Sequence, residues 1–164
     1  MAGSEQGGWT AARADLYQGA PYFLVPPTEA SALARAKVEQ LIRALGAQTI
    51  ELSAAEHDAR VARLSHLPHL VAAAVVRTAG SELSGVGGGF LDGTRVAVGD
   101  PQLWREILGW NREALLLALG DLQQELETAA AMLRAGRDQE LQNWLAAAKD
   151  SRSRLKDFRG GRLS

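Results

Sequence analysis

The pattern of apolar residues changes near residue 52. Before it, apolar runs at residues 21–27 and 48–52 flank a segment whose apolar residues recur every three or four positions up to Gly46. The runs predict short strands, and the recurrence predicts a helix capped by Thr28 that continues to Leu45. The apolar stripe expected on this helix comprises Leu33, Val38, Leu41, Ile42 and Leu45. Residues 10–18 also have helix-compatible composition.

The strand, helix and strand occupy some thirty residues, which is the spacing of a βαβ crossover. The first 52 residues therefore predict the end of an α/β sheet. A helical period then persists to the end of the chain.

Local signals mark where the later helices begin and end. Ser53 and Glu56 match the S-x-x-E capping box and predict a long helix towards Thr78. Glycine and polar residues from 80 to 93 predict a loop, and the pair Asp100 and Pro101 predicts a new helix. Its apolar spacing continues until residue 136, a glycine, and a last helix is expected over residues 138–158. The second part is thus predicted to be all-α.

Composition narrows the class of protein. With 164 residues and 46% hydrophobic content, the chain can form one core of useful size. The absence of cysteine excludes disulfides and thiolate metal sites, and no apolar run approaches the ~20 residues of a membrane helix. A formal charge of −1 gives no electrostatic case for nucleic acid. We expect a cytoplasmic protein that binds neither nucleic acid nor membranes.

All three histidines lie within residues 57–69. His57 and His66 are nine residues apart, on opposite faces of a regular helix, which argues against a shared metal ion. A hydrolase of the HD type, built on His57 and Asp58, would need a further histidine and aspartate. Asp58 lies roughly 10 Å along the helix axis from Ser65, which argues against a serine hydrolase triad.

His66 and His69 are one helical turn apart and flank Pro68. Proline removes the N–H that would bond the carbonyl of Leu64, so it predicts a kink and an exposed acceptor at the bend. Such a bend is a plausible wall of a site. The alternative is that both rings are partly buried and serve structure alone.

The glycine-rich residues 85–95 are a second candidate element. A G-x-G-x-x-G fingerprint starting at Gly85 would need glycine in place of Phe90, and no strand precedes it, so it makes a poor phosphate cradle. Glycines allow close backbone approach to a ligand, and Arg95 suits bidentate recognition of a carboxylate. A flexible linker with a solvated arginine is the alternative.

Three motifs in order resemble the prephenate and arogenate dehydrogenases, which make the tyrosine precursor by NAD(P)-linked oxidation. They are E-H-D-x(6)-S-H-L-P-H at residues 56–69, G-G-F-x-D-x-T-R at residues 88–95 and D-P-x-L-W at residues 100–104. The opening M-A-G-S-E at residues 1–5 resembles the end of the family's H-P-x-A-G-[ST]-E motif. The family's catalytic histidine would then precede Met1 by two positions.

The resemblance implies a mainly α fold in two parts. Residues 1–52 would be the C-terminal remnant of a Rossmann-like nucleotide-binding domain. Residues 53–164 would be an all-helical substrate-binding and dimerisation domain, similar to the C-terminal domain of 6-phosphogluconate dehydrogenase. The implied assembly is a homodimer. The implied cofactor is NAD or NADP in the complete enzyme, with none bound by this chain alone, which we expect to be inactive.

The same motifs imply a substrate site. Arg95 would pair with a carboxylate of prephenate or arogenate. The other implied site residues are His69, Gly88 and Trp104 in the pocket lining, His66 as support for that wall, and Ser4 and Glu5 near the mouth. The alternative function is a non-catalytic helical dimerisation or interaction module, in which Arg95 and His69 would point into solvent away from each other.

Overall fold

The chain is mainly helical, with a small parallel sheet near its start. The computed structural model describes residues 9, 12–81 and 84–158. It divides into two compact units, Met1–Ala118 and Leu119–Ser164. The first unit contains the sheet and the candidate site, and the second contains most of the last two helices.

The predicted βαβ crossover is confirmed. Strand β1 (Pro21–Leu24), helix α1 (Ala32–Ala44) and strand β2 (Gln48–Glu51) follow one another, and the two strands pair in parallel. Gly46 ends the helix with a φ of +71°, a conformation that residues with a Cβ rarely adopt. The turn at Gly46 therefore returns the chain to the sheet.

Two predictions before β2 were wrong. Helix α1 begins after Ser31 rather than Thr28, because the Ser31 hydroxyl oxygen accepts a hydrogen bond from the N–H of Ala34 at 3.2 Å. Residues 14–19 form consecutive turns instead of a helix. Arg13 and Asp15 bond each other through their side chains, and residues two apart do not face each other on a helix.

The apolar stripe of α1 is mostly uncovered in this chain. Ile42 is 1% exposed, whereas Leu33 and Leu41 are 67% and 60% exposed. Val38 and Leu45 are also exposed. The core that α1 shares with the described sheet therefore centres on a single residue of the stripe.

The long helix after Ser53 consists of three joined segments. They are α2 (Ala54–Val61), a π-helical turn (Ala62–His66) and α3 (Leu67–Ala79). The capping box is confirmed, since Glu56 donates its backbone N–H to the Ser53 hydroxyl while its carboxylate accepts from the Ser53 N–H.

The irregularity expected near Pro68 takes the form of the π-helical turn. The N–H of Leu67 donates to the carbonyl of Ala62, five residues earlier, and Pro68 follows with no N–H to donate. The turn therefore ends two residues before the proline.

The glycine-rich loop is shorter than predicted, because Gly88–Thr94 forms helix α4 and Arg95–Val98 forms a 3₁₀ turn. The hydroxyl of Thr94 donates to the carbonyl of Phe90 at 2.7 Å. Both segments pack against α3. Tertiary packing of this kind stabilises a short helix that its glycines disfavour.

The helices after residue 100 largely follow the predicted signals. Asp100 caps α5 (Pro101–Trp110) by accepting from the N–H of Gln102. The pattern does not continue as one helix, because Asn111 leaves helical geometry and separates α5 from α6 (Arg112–Arg134). Gly136, with a φ of +61°, ends α6, and α7 (Asp138–Phe158) follows.

Each unit has its own packing. In the first, the buried apolar residues are Ile42, Ala47, Leu52, Val61, Ala62, Ala72, Leu115 and Ala118. In the second, the indole N–H of Trp144 on α7 donates to the carboxylate of Glu125 on α6 at 2.8 Å. None of the helices in the described ranges combines the length and apolarity needed to cross a membrane.

Candidate functional site

The π-helical turn, α3 and α5 bring three predicted site residues together. The ring of His69 stacks on the indole of Trp104, with centroids 3.6 Å apart and planes 10° from parallel. His66 meets the same indole edge-on, with centroids 6.5 Å apart. Since Trp104 lies within the first turns of α5, the Asp100 cap and Pro101 also set the position of the indole.

Both histidine rings are withdrawn from solvent. His66 is 7% exposed and His69 is 8% exposed. Burial disfavours the charged imidazolium and therefore lowers the pKa of each ring below its ordinary value. His57 lowers the pKa of His66 further, and Asp58 acts against this. Both rings are consequently biased towards the neutral form.

His69 has an unsatisfied nitrogen. Its Nδ1 is buried and has no hydrogen-bond partner among the described residues. A buried N–H without a partner is costly, which favours the neutral tautomer that carries its proton on Nε2. An orphaned polar atom inside an otherwise packed cluster is a feature that functional sites often retain.

Asn111 completes the cluster and was not predicted from the sequence. Its side-chain nitrogen lies 2.8 Å from the backbone oxygen of Asp58 and 3.2 Å from Nδ1 of His66. A polar residue that interrupts apolar spacing immediately after Trp110 was the available signal. It indicates a helix break but does not indicate a partner 45 residues away.

Gly99 is the second residue that was not predicted. A Cβ built there would lie 2.5 Å from Nε1 of Trp104 and 3.1 Å from Cε1 of His69. The backbone of Gly99 therefore approaches the stacked rings closely. In the sequence, its position just before the Asp100 cap gives no sign of this contact.

The other predicted site residues are less enclosed. Gly88 is the first residue of α4 and Arg95 is the first residue of the 3₁₀ turn, and both are exposed. Their segments pack against α3, the helix that carries His69. The carboxylate-binding role of Arg95 remains a prediction. Ser4 and Glu5 lie outside the described residues.

His57 and Asp58 belong to a different contact. Nδ1 of His57 lies 2.9 Å from the Asp58 carboxylate, and its ring meets Phe23 edge-on with centroids 5.8 Å apart. The guanidinium of Arg60 lies over the same phenyl ring. This contact joins β1 to α2. Nowhere in the described ranges do three histidine or acidic side chains converge as a metal site requires.

The glycine-rich segment does not have the surroundings of a dinucleotide cradle. It follows helix α3 instead of a strand, and Phe90 occupies a position where the fingerprint requires glycine. This segment is therefore a poor binding site for the pyrophosphate of NAD or NADP.

Comparison with known proteins identifies the family. The family model described as prephenate dehydrogenase, dimerization domain, matches residues 53–147. This chain belongs to the prephenate dehydrogenase family. It is 32% identical over 162 residues to prephenate dehydrogenase of Bacillus subtilis, which covers 94% of this chain and 44% of that protein.

Solved structures of the family have the same fold. The prephenate dehydrogenase from Aquifex aeolicus in complex with hydroxyphenyl propionate and NAD+ is 29% identical, with a TM-score of 0.87 over 93% of this chain and 56% of that one. Synechocystis arogenate dehydrogenase is also 29% identical, with a TM-score of 0.82 over 94% of this chain and 59% of that one. These similarities confirm the predicted fold class.

The chain spans less than half the length of the curated relatives it matches. The family membership accordingly applies to the part of the enzyme that contains the helical domain.

Proposed function

We propose that this chain forms the substrate-side pocket and the dimer interface of an NAD(P)-dependent prephenate or arogenate dehydrogenase. The observation that carries the proposal is the family match over residues 53–147, which contain the cluster of His66, His69 and Trp104. The complete enzyme would oxidise and decarboxylate its substrate to a phenolic product on the route to tyrosine.

The proposed domain division is residues 1–52 and residues 53–164. The βαβ unit supports the first part, and the family match begins at residue 53. The exposed side chains of Leu33 and Leu41 also support it, because an α/β layer covers the apolar stripe of its helices with further strands.

The cofactor is assigned to the part of the nucleotide-binding domain that lies outside the described residues. There it would accept the hydride that leaves the substrate ring. The Aquifex aeolicus relative was solved in complex with NAD+, which supports a nicotinamide dinucleotide as the cofactor of the complete enzyme. For this family member we propose NAD or NADP, and we place the catalytic histidine outside the described residues as well.

The residues of this chain would bind and orient the substrate. Arg95 can present two parallel N–H donors to a carboxylate, a fit that the point charge of lysine does not reproduce. Neutral His69 offers one N–H donor through Nε2. Trp104 backs the His69 ring and excludes water from that side of it. Gly88 would allow close approach of the α4 backbone to the substrate, and Ser4 and Glu5 would lie near the mouth.

Exposed apolar residues support a homodimer. Trp110 is 91% exposed at the end of α5. On α6, Leu126 and Leu133 are 57% and 66% exposed, and residues seven apart lie on one face of a helix. Large apolar side chains exposed on one face of a helix are typical of protein–protein interfaces.

One observation favours the alternative of a non-catalytic interaction module. Arg95 is exposed, whereas a carboxylate site would gain from partial desolvation. The burial of His69 argues against that alternative, which predicted both side chains in solvent.

A chimeric enzyme tests the proposed function. The C-terminal part of Bacillus subtilis prephenate dehydrogenase would be replaced by residues 53–164 of this chain, and reduction of NAD and NADP would be assayed with prephenate and with arogenate. We expect activity with at least one substrate, and none from this chain alone. A folded, dimeric chimera that binds the cofactor but oxidises neither substrate would contradict the proposal.

A further inference from the structure

Asn111 joins the break between α5 and α6 to the π-helical turn. Its side-chain nitrogen lies within hydrogen-bond distance of both the Asp58 carbonyl oxygen and Nδ1 of His66. A carbonyl oxygen can only accept, so the atom that faces it must be the NH₂ group of the amide and not its oxygen. The orientation of the Asn111 amide is thereby determined by chemistry.

The orientation of the amide assigns the proton on His66. The NH₂ group has two hydrogens, one for each of its two partners. Nδ1 of His66 must accept the second hydrogen and therefore carries no proton itself. A neutral ring then carries its proton on Nε2, which has no hydrogen bond to any residue in the described ranges.

We propose that Asn111 is a positioning residue that holds His66 as the neutral Nε2–H tautomer, so that its one N–H donor remains available to the substrate pocket. The availability to substrate rests on the proposed function, whereas the tautomer follows from the contacts within this chain. Asn111 lies outside the three family motifs, at residues 56–69, 88–95 and 100–104.

The surroundings of His66 keep the ring in one place. Asn111 contacts Nδ1, and the indole of Trp104 meets the ring edge-on. The second bond of Asn111, to Asp58 at 2.8 Å, anchors the amide to the end of α2, so the amide cannot follow a rotating ring without losing that bond. The charged or titratable groups that act on His66 are His57 and Asp58, both on α2.

The π-helical turn explains why His66 needs the tether, that is, the hydrogen bond from Asn111. It leaves the regular hydrogen-bond ladder between Ala62 and Leu67, and such turns recur at functional sites. His66 is the last residue of the turn. A tether from outside the helix therefore restrains the position at which the helix itself is irregular.

Nitrogen-15 NMR of the histidine rings in this chain tests the assignment directly. Long-range correlations between ring nitrogens and ring protons distinguish a protonated nitrogen from an unprotonated one. The chain has only three histidines, and His57→Gln and His69→Gln variants would identify the signals of His66. We expect an unprotonated Nδ1 and a protonated Nε2 at neutral pH. A parent chain with the His66 proton on Nδ1 would overturn the proposal, whatever any variant does.

Two substitutions at residue 111 and one matched control extend the test. In Asn111→Asp the carboxylate can only accept, so we expect His66 to carry a proton on Nδ1. In Asn111→Ala neither tautomer is selected, so we expect a mixture. Asn143→Ala removes an exposed asparagine of α7 that bonds Gln139, and it should leave the His66 signals unchanged. An unaltered His66 tautomer in a folded Asn111→Asp chain would also overturn the proposal.

The chimeric enzyme separates this inference from the proposed function. In the chimera, Asn111→Asp should lower kcat/KM by about tenfold, which corresponds to the loss of one hydrogen bond to the substrate. The cofactor affinity of this variant should equal that of the parent, and so should the kcat/KM of the Asn143→Ala control. An active chimera that Asn111→Asp does not impair would overturn the positioning role. An inactive parent chimera with the expected tautomer would contradict the proposed function and leave the tautomer assignment in place.

Discussion

Gly99 approaches Trp104 so closely that a Cβ at residue 99 would lie 2.5 Å from Nε1 and 2.8 Å from Cδ1 of the indole. Gly99 has a φ of −59° and a ψ of 153°, a conformation open to any residue. Glycine is therefore required here for space and not for backbone freedom. The absence of a side chain at residue 99 lets the indole lie flat on His69.

Gly99→Ala should disturb the stacked pair. The added methyl group must displace backbone or indole, and over-packing of this kind costs about 1–3 kcal/mol of unfolding free energy. Denaturant unfolding measures the loss, and the indole N–H resonance of Trp104 should shift. Gly93→Ala is the matched control, because a Cβ there meets nothing within 4 Å inside α4. It should stabilise the chain by about 0.5–1 kcal/mol. Equal stabilities for the two variants would contradict the close approach.

Trp104→Leu should raise the pKa of His69. Burial lowers that pKa, and the stacked indole covers one whole face of the ring. An NMR titration of the His69 ring protons measures the change. Trp110→Leu, at a residue that is 91% exposed, is the control and should leave the titration as it is in the parent. If both variants titrate like the parent, the indole is not the group that desolvates His69.

The stability of the chain should fall as the pH is lowered below about 6.5. The pKa values of His66 and His69 are lower in the folded chain than the ordinary 6.5, so the unfolded chain binds more protons in this range. Unfolding free energy then decreases from pH 6.5 down to the folded pKa values.

Denaturant unfolding between pH 5 and pH 7.5 checks this pH dependence, and His69→Gln should flatten it. Glu56 has a lowered pKa because of its bonds to Ser53, and its stabilisation is lost only below the ordinary value of 4.5. Its titration therefore does not affect the change in unfolding free energy between pH 5 and pH 7.5. A stability that is constant or rises on acidification to pH 5 would show that the rings do not charge on unfolding.

The chain should sediment as a homodimer. Glutamate at both Leu126 and Leu133 places two charges on one exposed apolar face of α6 and should shift the equilibrium towards monomer. Leu33→Glu is the control, because Leu33 is at least as exposed as either leucine but lies on α1 in the βαβ unit. Sedimentation velocity at several concentrations measures the distribution. A folded parent that remains monomeric at tens of micromolar would contradict the dimer-interface proposal.

Arg95→Ala should weaken substrate binding in the chimeric enzyme. Hydrogen bonds to charged groups contribute about 1.5–3 kcal/mol each, so we expect KM to rise by about ten- to a hundredfold. Arg95→Lys should also be impaired, because an ammonium does not reproduce the two parallel donors. Initial rates are compared with a cofactor titration and a melting curve, neither of which should change. An unchanged KM, or simple unfolding, would make Arg95 a structural residue.

The sequence determined the elements whose signals are local. The capping box of Ser53 and Glu56, the cap at Asp100 and the stop at Gly136 each depend on hydrogen bonds within a few residues, and the structure contains all three. The parallel strands also followed from short-range information, because a helix between two short apolar runs leaves the second strand beside the first and in the same direction.

Tertiary structure decided where local signals competed or were missing. Thr28 and Ser31 are both capable caps three residues apart, and only the backbone path selects Ser31. Helix α4 forms despite its glycines because it packs against α3. Helix propensities describe single residues and do not include such a contact. The motifs identified His66, His69 and Trp104 as site residues. They did not predict that the rings stack or that Asn111 bonds to His66 and Asp58. Those contacts join residues 35 to 53 positions apart, and they form because the break at Asn111 and the space at Gly99 let α5 approach the π-helical turn.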